Sequence, residues 1–548
     1  MTRSNPLPLP VSPSRDRWVA VALVSVCAVL NAWLPGPVGV NEPHWLCKAR
    51  HWFDPAYCPG DFFLDSYNAH AVFLWCAGWC TRVLSLETLA WGGRAFAGAC
   101  LAAGAVRLCR ALGGRPGDAT RAVLLFAVLQ WVGNFSGEWV FGGFEAKPFA
   151  WAALWWGYAE LIERRWIRAA ACGGLAISLH PVVGAWGVLA ALAATAGSLA
   201  GRLRARSAAH PDRTPREARH VDDIGTRSDA DRSFSVRTLL VTGFVGTLCA
   251  LPGLVPAIGL LKSAPTPEIS AQANHIQVYL RLRHHLDPTA FLPYAYLWYG
   301  VLAVVWFSLH RTSRPPEVAR FRGVVSASIL FAFVGIALGW WPIIADAAGL
   351  QPKFPVESLL KFYPFRLADA LLPLGLALVW SVRTSNRPWP KSIEWIALLA
   401  AGSLAVFVPS PLNSRDVDRR LDQPLRDDWN SMCVWIREQT PTDALFVTPT
   451  FGWEFKWRAE RAEFFSPKDC PQDAAGIVEW KRRADVWRDW RKQSFDSGVT
   501  ADELANLARL TQATHLLIHK DIPVRTPPIH TSSKFAVYRL APRNGRAE

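Results

Sequence analysis

Charge is scarce in this chain. Only 19% of its 548 residues are Asp, Glu, Lys or Arg, and methionine is almost missing, with 2 residues. Soluble domains carry about 25% charged residues. With 51% hydrophobic residues and a positive mean hydropathy, this chain has too little polar surface to be solvated by water alone, so lipid must supply the rest. A cleavable leader is also missing: the apolar run Trp18–Leu34 leads into Pro35-Gly36-Pro37 with no small-residue cleavage site, which predicts a retained anchor. No internal repeat of the kind expected of duplicated transporters stands out. The net charge of +15 raises nucleic acid as a partner, but the arginines sit in short segments between apolar runs, as the positive-inside rule distributes them. Membrane lipid, with anionic headgroups, is the expected partner instead, and nucleic acid is not.

About eleven apolar runs of membrane-spanning character extend from Trp18–Leu34 to Ile393–Phe407. A further run, Ala71–Leu84, decides the topology. If it lies along the outer membrane surface, the basic segments around Arg15, Arg107–Arg121, Arg164–Arg168, Arg202–Arg237, Arg311–Arg322 and Arg383–Lys391 all fall inside. The N-terminus is then cytoplasmic and everything after Pro409 lies outside. The rival reading adds one span and puts the tail inside. The expected fold is mainly α: a polytopic α-helical membrane protein with a small C-terminal α/β extracytoplasmic domain. The divisions are 1–200 for a first membrane group, 201–236 for a disordered cytoplasmic linker poor in large apolar residues, 237–409 for a second membrane group, and 410–548 for the soluble domain. In that domain, helical patterns at Trp429–Gln439, Glu479–Ser494 and Ala501–Leu510 alternate with strand-like runs at Ala444–Thr448, His515–Ile518 and Phe535–Leu540. Its Trp and Arg clusters around Trp453–Arg461 and Trp480–Trp490 read first as core and second as a binding surface. Cys47 with Cys58, and Cys433 with Cys470, are candidate disulfide pairs if those regions face an oxidising compartment.

Polar chemistry gathers in three outer segments. The first holds Asn41, Glu42, His44, Asp54, Asp61, Asp65, Asn68 and His70 at the end of the first span, a density of carboxylates and imidazoles that suits a general base or a metal site as well as a solvated loop. The second runs from Asn134 to Phe149, with glycines between aromatics and with Glu145 and Lys147 at the head of a span; a lysine there can hold a lipid phosphate, or simply pair with the glutamate. His180, before Pro181, sits at an outer turn that it caps or from which it reaches substrate. The third holds Glu357, Lys361, Arg366 and Asp369; the last two fall within an apolar run, where ionisable groups are functional by default.

These features resemble the polytopic glycosyltransferases of the GT-C fold, which take sugars from polyprenyl-phosphate carriers. The matching features are Asn41-Glu42 after the first span, the interfacial stretch Ala71–Leu84, Arg94 near the start of the next span, and a soluble outer domain. Gly143-Phe144-Glu145-Ala146-Lys147-Pro148 and Trp435-Ile436-Arg437-Glu438-Gln439-Thr440-Pro441 are similar to segments of an uncharacterised bacterial branch of that architecture. The resemblance implies a glycosyltransferase in a bacterial inner membrane, with a periplasmic C-terminal domain, passing a sugar from a polyprenyl-phosphate carrier to a glycan, lipid or protein acceptor. Glu42 would be the general base, with Asp61 and Asp65 as substitutes. His44, Glu145, Lys147, His180, Lys361 and Arg366 would contact substrate, Arg366 first among the phosphate-binding cations. Many such enzymes carry two acids where this chain has Asn41 and Glu42, so a divalent metal is optional and no metal ligands are assigned. A transporter and a non-catalytic assembly protein are the competing classes.

Overall fold

The computed structural model describes residues 22–24, 38–39, 41–209, 235–309, 316–350, 355–385, 423–495 and 498–540. Most of the first expected span, the last one at Ile393–Phe407 and most of the 201–236 linker lie outside these residues. At the linker's ends, residues 201–209 continue a helix and Ser235 caps the next one.

Glu42–Phe53 forms helix α1, with Pro43 and the acidic Glu42 in its first turn, where a missing N–H costs nothing and the helix dipole favours a carboxylate. Ala71–Thr81 forms α2. Its 11 residues rise roughly 16 Å at ~1.5 Å each, about half the ~30 Å hydrocarbon thickness. The helix packs on α1, and Gly78 lies so close to Ala49 O and the Phe53 ring that a side chain there would collide. Trp75 and Trp79 point outward, more than half exposed, as in an aromatic belt at a membrane interface.

The next elements are α3 (Leu86–Ala111), α4 (Pro116–Gly133), α5 (Ala146–Ile162), α6 (Trp166–Leu179), α7 (Pro181–Ala209), α8 (Val236–Lys262), α9 (Pro267–His275), α10 (Pro293–Ser308), α11 (Pro316–Ala347) and α12 (Arg366–Arg383). Among the described residues, four helices are long and apolar enough to cross a membrane, namely α3, α7, α8 and α11. The chain is therefore a membrane protein; among the described residues, α4, α5, α6, α10 and α12 are shorter, with 14 to 18 residues, at or below the lower end of the ~17–25 that span hydrocarbon. Small residues set the packing. Gly174 of α6 lies against Gly246 O of α8, and Gly253 of α8 against the Ser178 backbone, the close approach by which apolar helices associate where lipid removes the hydrophobic drive.

After α13 (Gln423–Gln439) come β1 (Leu445–Val447), α14 (Phe455–Ala459), β2 (Ala462–Glu463), α15 (Ala474–Ser494), α16 (Ala501–Thr511), β3 (His515–His519), β4 (His530–Thr531) and β5 (Phe535–Arg539). The sheet order is β2-β1-β3-β5-β4, parallel from β2 to β3 and antiparallel beyond. The expected α/β alternation is present. Trp480, Trp487 and Trp490 are buried, so the aromatic clusters are mainly core. Cys47, Cys58, Cys433 and Cys470 are all free thiols. Cys433 packs in one hydrophobic cluster and Cys470 in another, so neither expected disulfide is formed.

The C-terminal domain docks on the first polar segment through buried charge. Lys456 Nζ lies 2.6 Å from Glu463, 2.6 Å from Asp469 and 3.6 Å from Asp61. Tyr57 Oη donates to Lys456 O at 2.6 Å, Arg50 pairs with Glu460 at 3.0 Å, and Ala69 N donates to Gln472 at 3.0 Å. Burial opposes the charge on Lys456, but Asp469, Asp61 and Glu463 outweigh it and raise its pKa well above the usual value. One ammonium cannot hold three carboxylates equally. Burial also works against Asp469, yet Lys456 and His44 hold it well below the usual carboxylate range. For Glu463, burial prevails and pushes it from 4.5 up to about 7.

Two predictions follow for the docked state. Lys456→Met leaves buried carboxylates without their counter-charge, and removal of one partner of such a group costs roughly 3–5 kcal/mol; thermal unfolding in detergent should show a loss of that order, and a shift no larger than that of a surface control refutes it. Glu463 binds its proton more tightly folded than unfolded, so its contribution is full below pH 4.5 and is lost as pH rises through about 7. Glu463→Gln should flatten the decline in stability over that window.

Candidate functional site

The first turn of loop 134–145, between α4 and α5, is held by one carboxylate. Asp369, in the first turn of α12, accepts from Phe135 N at 3.1 Å, Ser136 N at 2.9 Å, Ser136 Oγ at 2.6 Å and Glu138 N at 3.3 Å. The functional reading of Asp369 from its place in an apolar run is thus corrected: its role is to satisfy a buried turn. Gly137 adopts φ +83°, and a side chain there would strike the His285 ring, whose Nδ1 donates to Ser136 O at 2.6 Å. The loop then presents Glu138, Glu145 and Lys147 toward the segment around Arg366.

A cavity of about 1150 Å³ opens beside this loop. Its wall is built from α1, loop 137–147, the start of α7, the outer part of α8, the stretch from Ser270 to His285, α11, residues 359–366 and the C-terminal segments around Trp453 and Lys468–Ile477. Two textures meet in it. One side is apolar and comes from membrane-length helices, including Leu189 of α7, Leu254 and Ile258 of α8, and Leu330 and Val334 of α11. The other side carries Lys147, Arg281, Lys361, Arg366 and Lys468, with Glu145 as the carboxylate among the described lining residues.

Arg366 Nε pairs with the fully buried Glu138 at 2.8 Å, and its guanidinium lies over the Tyr363 ring, 3.9 Å from the centroid. Lys147 reaches Glu145 at 3.4 Å and Glu138 at 4.0 Å. Asn41 Nδ2 donates to Glu145 at 3.0 Å, and Lys361 Nζ donates to Asn274 at 3.0 Å. Burial lowers the Lys361 pKa. His44 Nδ1 donates to Asp469 at 2.9 Å. His70 packs edge-on to His180, with centroids 4.7 Å apart, and burial pushes its pKa down to about 3.

Six of the residues expected to contact substrate, His44, Glu145, Lys147, His180, Lys361 and Arg366, therefore share one wall. The three expected catalytic carboxylates, Glu42, Asp61 and Asp65, are not among the residues that line it. Glu42 is fully buried behind the wall, forked by the Arg94 guanidinium, with further hydrogen bonds from Gly39 N at 2.6 Å and Phe144 N at 2.9 Å. Gly143 lets the carboxylate approach this closely, since a Cβ there would sit 3.0 Å from it. Asp61 accepts from Phe63 N, Leu64 N and Glu463 N. Asp65 holds His51 at 2.9 Å. Glu42 and Asp61 are buried in these contacts, whereas the Asp65 side chain is about half exposed. Arg281, Lys468 and the His44–Asp469 pair escaped the sequence reading; the run Arg281-Leu282-Arg283-His284-His285 was the visible signal for the first. Among the described residues no group of three or more His, Cys, Asp or Glu side chains is arranged to hold a metal, so the optional divalent ion finds no fitting ligand set there.

Glu42→Gln leaves the buried Arg94 guanidinium facing a neutral amide. A loss of several kcal/mol, on the order of 3–5, is expected in thermal unfolding, and Glu42→Gln with Arg94→Met should recover part of it. A single variant as stable as the parent would return Glu42 to the list of candidate bases.

A family model described as a domain of unknown function (DUF6798) matches residues 427–486, which span α13 to the first part of α15. No curated protein matches the chain. A solved structure of an oligosaccharyltransferase from Archaeoglobus fulgidus, in complex with Zn and sulfate, aligns with a TM-score of 0.37 and 13% identity over 91% of this chain and 68% of that one. A likeness at that level decides nothing about activity.

Proposed function

We propose that this chain is a membrane glycosyltransferase that moves a sugar from a polyprenyl-phosphate carrier to an acceptor on the outer face of a bacterial inner membrane. One observation carries the reading: a single cavity joins an apolar flank on three membrane-length helices to a wall with five cationic side chains and one carboxylate. A carrier lipid has the matching anatomy, with a long hydrocarbon chain ending in phosphate. In the transfer, the bond between the anomeric carbon and the phosphate oxygen breaks, and negative charge grows on the phosphate. Fixed cations in a poorly solvated site stabilise that charge more than water does, because they need no reorganisation.

The cations divide by their existing partners. Arg366 and Lys147 share Glu138, and Lys147 also pairs with Glu145; these carboxylates hold them in place in the absence of substrate. The planar Arg366 fork, stacked on Tyr363, suits two phosphate oxygens at once. Lys361, with a neutral amide as its hydrogen-bond partner, supplies charge less fully compensated. Glu42 and Arg94 act at one remove, fixing the turn that carries Glu145 and Lys147.

The test is equilibrium binding of decaprenyl phosphate to the full chain in proteoliposomes. Arg366→Ala and Lys147→Ala should each weaken binding about 10- to 100-fold, the range of one charge-assisted hydrogen bond of roughly 1.5–3 kcal/mol. Decaprenol, which lacks the phosphate, should bind far more weakly. Equal binding of the alcohol and the phosphate would sink the reading and favour a general lipid-binding or assembly role.

A further inference from the structure

The cavity contains a second constructed arrangement, and it is made from distant parts of the chain. His44 stands in the first turn of α1 and Asp469 follows β2, 425 residues later, with His44 Nδ1 donating to Asp469 Oδ1 at 2.9 Å. The other oxygen, Oδ2, lies 2.6 Å from Lys456 Nζ, so the carboxylate that receives the imidazole proton is buried, ionised and immobile. The His44 ring is further fixed by stacking on Phe63, with centroids 4.3 Å apart, and by an edge contact with Trp45. His44 and Trp45 both belong to the cavity wall. Nε2 is the ring nitrogen that Asp469 does not engage, on a ring that lines the cavity.

We propose that His44 is the catalytic base that takes the proton from the acceptor hydroxyl, with Asp469 as its positioning residue; this rests on the glycosyltransferase reading above. With Nδ1–H given to Asp469, Nε2 carries the lone pair. As the acceptor oxygen bonds to the anomeric carbon, the bond to the phosphate oxygen breaks with its electron pair leaving on the phosphate. The hydroxyl proton passes to Nε2, so the products are the glycosylated acceptor, polyprenyl phosphate and protonated His44, which returns its proton to solvent. Glu145, the carboxylate on the wall, is a poorer choice because Asn41 and Lys147 already hold its two oxygens.

The charged and titratable groups facing His44 support a neutral resting imidazole. Burial lowers its pKa, Asp469 opposes this by hydrogen bond and charge, and Lys468 and Arg281 add to the lowering. His70, on the neighbouring α2 side, is itself depressed by burial and by His44. The Lys456 charge stands one residue further back, on Asp469. A base that stays unprotonated near neutral pH and is aligned by a fixed carboxylate suits proton abstraction from a hydroxyl, to which such groups contribute about 10²- to 10⁴-fold.

The experiment uses the full chain in proteoliposomes, with decaprenyl-phosphate-linked mannose, glucose and galactose as donors and alkyl glycosides as acceptors. His44→Gln should reduce transfer by about 10²- to 10⁴-fold while decaprenyl phosphate binding stays within about twofold of the parent, and it should remove the acid limb of the pH–rate profile. Asp469→Asn should move that limb to lower pH, since the carboxylate raises the His44 pKa, a shift that a structural defect alone does not produce. In parallel, diethyl pyrocarbonate should label His44 in the parent chain, as an imidazole with an open Nε2 must be. Transfer by His44→Gln at the parental rate overturns the base assignment, and so does a His44 that stays unlabelled, whether or not any donor in the set is used. Loss of decaprenyl phosphate binding by the parent chain instead fails the glycosyltransferase reading itself.

Discussion

The buried ammonium of Lys456 is the constraint on which the rest of the site depends. It stands in the C-terminal domain beside Glu463 and Asp469 and also reaches Asp61 of the first polar segment, so docking brings a buried carboxylate of one part to a buried ammonium of the other. A charge buried this far from water is tolerated when paired and hydrogen-bonded, and is strongly unfavourable otherwise. The docking is therefore specific in a way that apolar contact alone is not: a rotated or shifted domain would leave the buried Asp61 without its ammonium and His44 without its carboxylate. The cavity is a consequence. Its walls come from both sides of that junction, with Trp453 and Lys468 from one and His44 and Asn41 from the other.

The same logic operates one step away in the membrane-proximal part. Glu42 with Arg94, and Asp369 with the turn at residues 135–138, are buried carboxylates that answer a guanidinium and a set of backbone N–H groups. Each holds one end of the segment that displays Glu138, Glu145 and Lys147. Buried polar groups with every partner in place rigidify the structure around them, and here the rigid element is the loop that lines the cavity. Small residues complete the arrangement: Gly143 admits the Glu42 carboxylate, and Gly174 and Gly253 let α6 and α8 approach until α8 can contribute its apolar face to the flank.

Much of the architecture could be read from the sequence, because hydrophobic period and turn chemistry are local signals. The strands at 445–447, 515–519 and 535–539 and the helices at 474–494 and 501–511 fall where alternation placed them, and the short α2 fits a surface-lying segment. Cations near span ends were also legible, since an arginine such as Arg366 in an apolar run demands a polar cavity. What could not be read was which carboxylates face that cavity. Glu42, Asp61 and Asp65 stand in a loop dense in charge, and such a loop looks solvated or catalytic until its partners are known. For Glu42 the partner lies 52 residues away in Arg94, and for Asp61 the partners lie far along the chain in Glu463 and Lys456. Spacing carries no trace of such pairings. Apolar content reports burial without distinguishing lipid from protein: α5, with Trp151 and Trp155 fully enclosed, is apolar and yet largely surrounded by other helices.

The separation of charges within the cavity bears on how a reaction there would be organised. Proton acceptance and phosphate binding make opposite electrostatic demands, because cations that stabilise a leaving phosphate also lower the basicity of any group near them. In the proposed enzyme the conflict is eased by giving the base its own counter-charge. Asp469 sits behind His44 and Lys456 behind Asp469, a chain of alternating sign that belongs to the docked domain, whereas Arg366 and Lys147 are held by Glu138 and Glu145 on the membrane side. In the proposed enzyme the C-terminal domain would contribute to chemistry as well as to shape, since it supplies the carboxylate of His44 and the Trp453 and Lys468 side of the cavity.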